Sequence, residues 1–185
     1  MIELITLKNK DKTELIEGVM LYPLKINKDK SGVLVETLRV DWPQIYGKKR
    51  EFFMQYYSVT SPGAVRDENV WHYHFVQEDR FLVAQGAIVT AIADNRRDSK
   101  TFGLLNLFYM QADVNPYILL IPKATLHGFL VVSNDSAILL NFPTALYNPK
   151  EEGRILHSRA QIKLSDGRIF SWGLVRKEFF SSSNG

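Results

Sequence analysis

The stretch "NVWHYHFVQEDRF", residues 69–81, decides how this chain is to be read. Its aromatic and β-branched content is that of a strand. On a strand, residues two apart share a face, so His72 and His74 point one way while Tyr73 points the other. A carboxylate pair, Glu78 and Asp79, follows at once. Two imidazoles on one face of an apolar strand have three readings: metal ligands, a catalytic base with its neighbour, or hydrogen-bonded wall residues of a barrel. The residues alone leave all three open.

The rest of the chain repeats the strand pattern. Apolar or alternating runs occupy 33–40, 51–60, 70–75, 80–86, 87–94, 104–111, 116–122, 127–134, 137–144 and 168–175. Turn signals separate many of them: SPG at 61–63, DNRRDS at 94–99, SND at 133–135 and SDG at 165–167. Helical periodicity is weak. Residues 42–49 hold at most one helical turn, and the first 20 residues are ambiguous. No repeat, low-complexity tract or linker interrupts the pattern, so residues 1–185 are expected to form one domain, with 181–185 a frayed tail. Many short strands in one such chain predict an all-β fold, a sandwich or barrel. A jelly roll is the natural choice because it encloses a pocket between two sheets.

Composition removes several classes of function. The chain has no cysteine, so disulfides and thiolate metal sites are excluded. That fits a reducing cytoplasm. No apolar run reaches the ~18 residues of a membrane span, and the first residues lack the apolar core of a signal peptide. The net charge is +3 and the charges are scattered, which argues against nucleic acid as a partner and suits a small anionic substrate.

Three of the four histidines, His72, His74 and His127, fall at strand positions, while His157 lies in a polar stretch. The spacing resembles the cupin signature. Its first motif, HxH followed by a glutamate and a glycine, is matched by His72, His74, Glu78 and Gly86. Its second, Pro-x-Gly-x-x-His, is matched by Pro122 to His127 with Ala124 in the glycine's place.

A broader resemblance spans about residues 17–155. "DKSGVLVE" (29–36), "FMQYYSVTSPGAVR" (53–66), "ADNRRDSKTFG" (93–103), "LLIPKATLHGF" (119–129) and "YNPKEEGRI" (147–155) are similar, in order, to five segments of the dTDP-4-dehydrorhamnose 3,5-epimerase family. These enzymes are cupin jelly rolls, or double-stranded β-helices. They act on nucleotide-linked 4-keto-6-deoxy sugars, removing a proton beside the ketone and returning one on the opposite face.

The resemblance implies a role for each matching residue. His72 is the base, since histidine titrates near neutrality. His127 and Tyr147 line the pocket, Tyr147 with a catalytic role. Arg66 contacts the diphosphate or sugar, although six positions separate it from His72 where the family has three. Gln55 and Arg80 are further substrate contacts, Arg80 as a cation for the enolate. Asn141 stands where the family carries its acid tyrosine. An asparagine can bond a ketone oxygen but cannot donate a proton at neutral pH, so a narrower reaction, inversion at one carbon, is expected. Asp166 is a stand-in for the aspartate that orients the base. His74 replaces a glutamine and restores the cupin HxH, which opens an alternative: one divalent metal ion held by His72, His74, Glu78 and His127, with Asp79 or Gln77 in Glu78's place if the turn is rotated. A non-catalytic sugar-binding cupin is the third reading. The first reading needs no cofactor. The family also implies a homodimer with strands shared between subunits.

Overall fold

The computed structural model describes residues 2–48 and 50–182. Two five-stranded antiparallel sheets face each other in a jelly roll. The front sheet runs β12-β5-β10-β7-β8 and the back sheet β1-β9-β6-β11-β4, with a separate β2-β3 hairpin. The strands are β1 Met20–Pro23, β2 Ile26–Asp29, β3 Gly32–Val35, β4 Tyr56–Thr60, β5 Val70–His74 and β6 Asp79–Gln85. The remainder are β7 Ala87–Ala93, β8 Leu105–Gln111, β9 Tyr117–Ile121, β10 Leu126–Val131, β11 Ala137–Asn141 and β12 Glu152–Leu156.

Period-two alternation divides the apolar residues into three layers. Phe81, Val83, Ile88, Ile92, Phe108, Leu119, Phe129, Val131 and Leu139 fill the space between the sheets. The opposite faces of the same strands meet different partners. Trp71, Val89, Ala91 and Leu130 on the outer front face pack under Ile162, Leu164, Phe170, Trp172 and Val175. Leu82, Ile118 and Leu120 on the outer back face pack under Leu24, Ile45 and Tyr46. Both sheets are thus covered on two faces. This is why β6, β7 and β9 read as nearly continuous apolar runs rather than alternating ones. Each large side chain taken from water contributes about 1.5–3 kcal/mol.

Several local expectations need correction. Residues 51–55 are not strand, and β4 begins only at Tyr56. The run 168–175 is not a strand either: it leads into helix α2, Trp172–Ser182. Ser171 caps it, its Oγ accepting from the Leu174 N–H at 3.3 Å. Trp172 and Val175, three apart, place one apolar stripe on the front sheet. That stripe looks like strand alternation over so short a window. The helix includes Ser181 and Ser182 of the expected tail, whose last residues, 183–185, lie outside the described residues. Strands β1, β2 and β12 have no counterpart among the expected runs. The single turn near residue 42 is present, the Tyr46 N–H bonding Trp42 O at 2.7 Å. A short helix α1, His157–Ala160, follows β12. Among the described residues no helix is long and apolar enough to cross a membrane.

Two backbone positions carry the cupin-like signature. Gly86, between β6 and β7, has φ +75°, and a Cβ there would lie 2.7 Å from Ser133 Oγ. Only glycine fits that turn without displacement. Ala124, in the second motif, has φ +60°, the left-handed conformation glycine would adopt without strain. Its N–H bonds His74 O at 2.7 Å and ties the loop before β10 to the end of β5.

Candidate active site

Register brings the histidines together. His127 on β10 pairs directly with His72 on β5. The even positions of β5 and the odd positions of β10 both face inward. His74 therefore lies one pleat along from His72, with ring centroids 4.6 Å apart. His127 lies 5.5 Å from His72 and 5.7 Å from His74, measured between centroids. One nitrogen from each ring can be chosen so that all three lie within 4.8 Å of one another. His157 is elsewhere, packed against Trp71 and Phe170 on the outer front face.

The carboxylate that completes the cluster comes from the facing sheet. Asp79 opens β6 and is 2% exposed. Its Oδ2 lies 3.4 Å from Nε2 of His74 and 3.4 Å from Nε2 of His127. Its Oδ1 accepts from Gln77 Nε2 at 2.9 Å and from Asn141 Nδ2 at 2.8 Å. Glu78, expected in the metal set, points elsewhere. It lies just before β6 and pairs with Arg50 Nε at 2.7 Å.

Glu152 is the second acid. It is the glutamate of the Y-x-P-x-x-E segment, placed on β12 beside β5, and its Oε1 lies 3.3 Å from His72 Nε2. The ring is not aligned for a hydrogen bond, and this buried nitrogen has no hydrogen-bond partner in the structure. Asp166, the expected orienting acid, is in a surface turn where it accepts from the Arg168 N–H at 3.0 Å and from Arg168 Nε at 2.8 Å.

A cavity of about 210 Å³ opens over this cluster. The front sheet contributes His72, His74, His127 and Phe129, and the back sheet contributes Tyr56, Ser58, Asp79, Phe81 and Leu139. Arg66 and Asp67 line it as well. The extra residues 67–69 form a turn in which Asp67 takes φ +57° and its carbonyl accepts from the Val70 N–H at 3.0 Å. Arg66 thus stays on the cavity wall despite its longer separation from His72. Its guanidinium bonds Thr60 Oγ1 at 3.1 Å and Val59 O at 3.0 Å.

Four of the predicted catalytic and substrate-binding residues do not line the cavity. Gln55 is exposed and precedes β4. The inward positions of that strand are Tyr56 and Ser58, one residue out of register with the expectation. Tyr147 is 63% exposed in the loop before β12. Arg80 is fully buried on the outer back face, where its guanidinium donates to the carbonyls of Phe142, Ile45, Arg50, Glu51 and Pro143 and stacks on the Tyr46 ring at 4.3 Å. It is a structural cation with no face toward a substrate. Asn141 is also fully buried, behind the lining. Its Oδ1 accepts from the Arg80 N–H at 3.0 Å, which leaves Nδ2 to donate to Asp79 and to the Tyr56 hydroxyl at 2.9 Å. Asp79 entered the expectations only as a substitute for Glu78 in the metal set, and Glu152 and Tyr56 had no role in them. Strand parity counted back from Thr60, and the glutamate of the fifth segment, were the signals for the last two.

Burial dominates the electrostatics. It lowers the pKa of His72, helped by the neighbouring His74 and opposed by Glu152. It lowers that of His127 to about 4, opposed by Asp79. Both imidazoles are therefore neutral at pH 7 and can accept a proton. The arrangement offers bases on one wall, a carboxylate behind them, and a phenol on the other wall.

The profile of the dTDP-4-dehydrorhamnose 3,5-epimerase family matches residues 13–174. A probable low-salt glycan biosynthesis epimerase of Haloferax volcanii is 39% identical over 141 residues, covering 74% of this chain and 86% of that protein. A spore coat polysaccharide biosynthesis protein of Bacillus subtilis is 32% identical over 137 residues, covering 74% and 85%. Among solved structures, a dTDP sugar isomerase of Desulfovibrio desulfuricans superposes with a TM-score of 0.72 at 25% identity, covering 85% of this chain and 92% of that one. The chain belongs to the dTDP-4-dehydrorhamnose 3,5-epimerase family, whose cupin jelly roll it shares.

Proposed function

We propose that this protein epimerises a nucleotide-linked 4-keto-6-deoxy sugar, with His72 as the base, in the synthesis of a polysaccharide or glycan. The observation that carries the reading is His72 itself: a neutral imidazole on the cavity wall, with Glu152 3.3 Å from its Nε2. A ketone acidifies the neighbouring C–H only partly, so proton removal needs a positioned base and donors for the enolate oxygen. His72 takes the proton, and Glu152 stabilises the imidazolium that forms. His127 and His74, each 3.4 Å from Asp79, supply polar groups on the same wall. The cavity is smaller than the ~300 Å³ at the low end of drug-sized sites. It takes the sugar ring, while the nucleotide lies across the mouth, where Arg66 meets the diphosphate. Incubation with dTDP-4-keto-6-deoxy sugars, followed by chromatography of the products, tests the reading. A new epimer is expected. Unchanged substrate across the series contradicts it.

The convergence of His72, His74 and His127 favours a second reading, in which they bind one divalent metal ion. Asp79, not Glu78, would be the fourth ligand, since its Oδ2 faces two of the three rings. Three imidazoles and a carboxylate suit Zn, Fe, Mn or Ni. Metal analysis of protein purified without added metal separates the readings. Stoichiometric metal, with a melting temperature that falls on chelation and returns on add-back, supports the second. Metal-free active protein removes it.

The protein is also proposed to be a homodimer. Among the described residues strand β4 is a sheet edge, paired only with β11, and Tyr57 and Val59 on it are 66% and 54% exposed, with Phe52 and Phe53 nearby at 52% and 47%. Such an edge invites strand pairing with a second copy. Light scattering at twice the 21.3 kDa chain mass is the expected result.

A further inference from the structure

Inversion at carbon needs two groups on opposite faces of the substrate, one to remove a proton and one to supply it. The cavity has that geometry. Its front wall carries His72, His74 and His127, and its back wall carries Tyr56, Ser58, Asp79, Phe81 and Leu139. Phe81 and Leu139 have no exchangeable proton. The serine hydroxyl is a far weaker acid than a phenol. Asp79 is a carboxylate whose Oδ1 already accepts two hydrogen bonds.

We infer that Tyr56 is the proton donor, acting across the cavity from His72. This rests on the epimerase reading given above. The hydrogen-bond directions around Tyr56 carry the argument. Asn141 is fully buried, and the Arg80 N–H at 3.0 Å fixes its Oδ1, so its Nδ2 must donate. One of those donations goes to Tyr56 Oη at 2.9 Å. The tyrosine oxygen is therefore an acceptor in this bond, and its own O–H is free to point into the cavity. The same bond stabilises the phenolate left after donation. Burial of the hydroxyl end, with the charge of Asp79 nearby, raises the Tyr56 pKa to about 12, so the phenol holds its proton at neutral pH. An enolate carbon is a much stronger base than a phenolate, and transfer to it runs downhill.

The step balances. The C–H pair stays on the sugar as an enolate when His72 takes the proton. That pair then forms a new C–H bond to the Tyr56 proton on the opposite face, and the ketone is restored. Tyr56 regains a proton from water while the His72 imidazolium returns one. Tyr56 and Asn141 are direct cross-strand partners on β4 and β11. The hydroxyl expected at position 141 is thus supplied from the adjacent strand. With a phenol present, the reason to expect inversion at one carbon only is removed.

The test is Tyr56→Phe in D₂O, with the C3 and C5 protons of a dTDP-4-keto-6-deoxy sugar followed by NMR. Tyr56 is 44% exposed on an edge strand and its hydroxyl accepts one hydrogen bond, so the variant is expected to fold, with the melting temperature as the check. Inversion should fall about 10² to 10⁴-fold, the usual scale for a general acid. His72 should still exchange the proton for deuterium with retention, at a rate within about threefold of wild type. A structural role would lower exchange and inversion together. Tyr57→Phe, on the outward neighbour, should change neither. Inversion by Tyr56→Phe within threefold of wild type, or parallel loss of both signals, overturns the assignment while the epimerase reading stands. A wild-type protein that neither exchanges nor inverts any sugar tried takes both down.

Discussion

Among the described residues two aspartates are buried, and they are treated oppositely. Asp94, at the end of β7, is fully inaccessible. Both of its oxygens are saturated: Oδ1 accepts from the Arg96 N–H at 3.0 Å and Arg96 Nε at 2.8 Å, and Oδ2 from Arg96 Nη2 at 2.8 Å, Ser99 Oγ at 2.6 Å and Thr101 Oγ1 at 2.7 Å. Asp79 is nearly as buried, yet only its Oδ1 is hydrogen-bonded. Its Oδ2 faces two imidazoles at 3.4 Å, beyond good hydrogen-bond range. Buried charge is costly unless it is paired and bonded. Asp94 meets that condition within its own loop, through Arg96, Ser99 and Thr101. Asp79 leaves an oxygen for a proton, a substrate or an ion to complete. Asp94 is thus bound into the fold, and Asp79 is the one of the two with an oxygen available to the proposed chemistry.

The largest effect expected from this comparison lies one residue from Asp79. Arg80 satisfies five backbone carbonyls, and Arg80→Leu would leave them buried and unpaired. The expected cost is about 4 kcal/mol, measured by urea unfolding. If kcat per folded molecule at low temperature falls as far as stability does, Arg80 is not purely structural.

Asp79→Asn should do the reverse. Turnover is expected to drop about 100-fold, roughly 2.7 kcal/mol in the barrier, because the histidines lose their shared carboxylate. Unfolding free energy should change by less than ~1 kcal/mol, since only Oδ1 is firmly bonded. A strongly destabilised but fully active variant would break the comparison.

Asp94→Asn is expected to lose about 2 kcal/mol of stability with activity retained at permissive temperature. The hydrogen bonds from Arg96, Ser99 and Thr101 hold the Asp94 pKa well below the ordinary carboxylate range, against the opposing effect of burial. A depressed folded-state pKa adds stability above the unfolded value of ~3.9, and that stability is lost as pH falls toward the folded value. Wild type should therefore lose stability below about pH 4 more steeply than Asp94→Asn does. Parallel curves would contradict the assignment.

The smallest effect is at Ala124. With φ +60°, Ala124→Gly relieves left-handed strain and should stabilise by about 0.5–1 kcal/mol, net of glycine's greater unfolded-state entropy. Differential scanning calorimetry resolves a shift of that size. A lower melting temperature would show that the loop tolerates alanine without strain.

The jelly roll and the front wall were legible because strand alternation is a local signal: it put His72 and His74 on one face, and the second motif supplied His127. The back wall was harder. Gln55 is implied by its match to the family's segment, while β4 begins only at Tyr56, and a one-residue slip along such a strand exchanges its two faces. Arg80 looked like a free cation because no local signal tells which side of a doubly covered strand is the cavity. Glu152 went without a role because β12, Glu-Gly-Arg-Ile-Leu, is a half-exposed edge strand with little apolar pattern. Tyr147 carries a matching segment, yet its position is set by a loop, whose course depends on contacts distant in sequence.

In the proposed reaction His72 removes a proton beside a sugar ketone. The most direct measurement follows deuterium uptake at C3 and C5 of a dTDP-4-keto-6-deoxy sugar in D₂O, comparing wild type with His72→Asn at matched folded concentration. Uptake by wild type is expected, with a rate at least about 100-fold lower in the variant and melting temperatures that agree. Uptake by His72→Asn at the wild-type rate would contradict that role of His72.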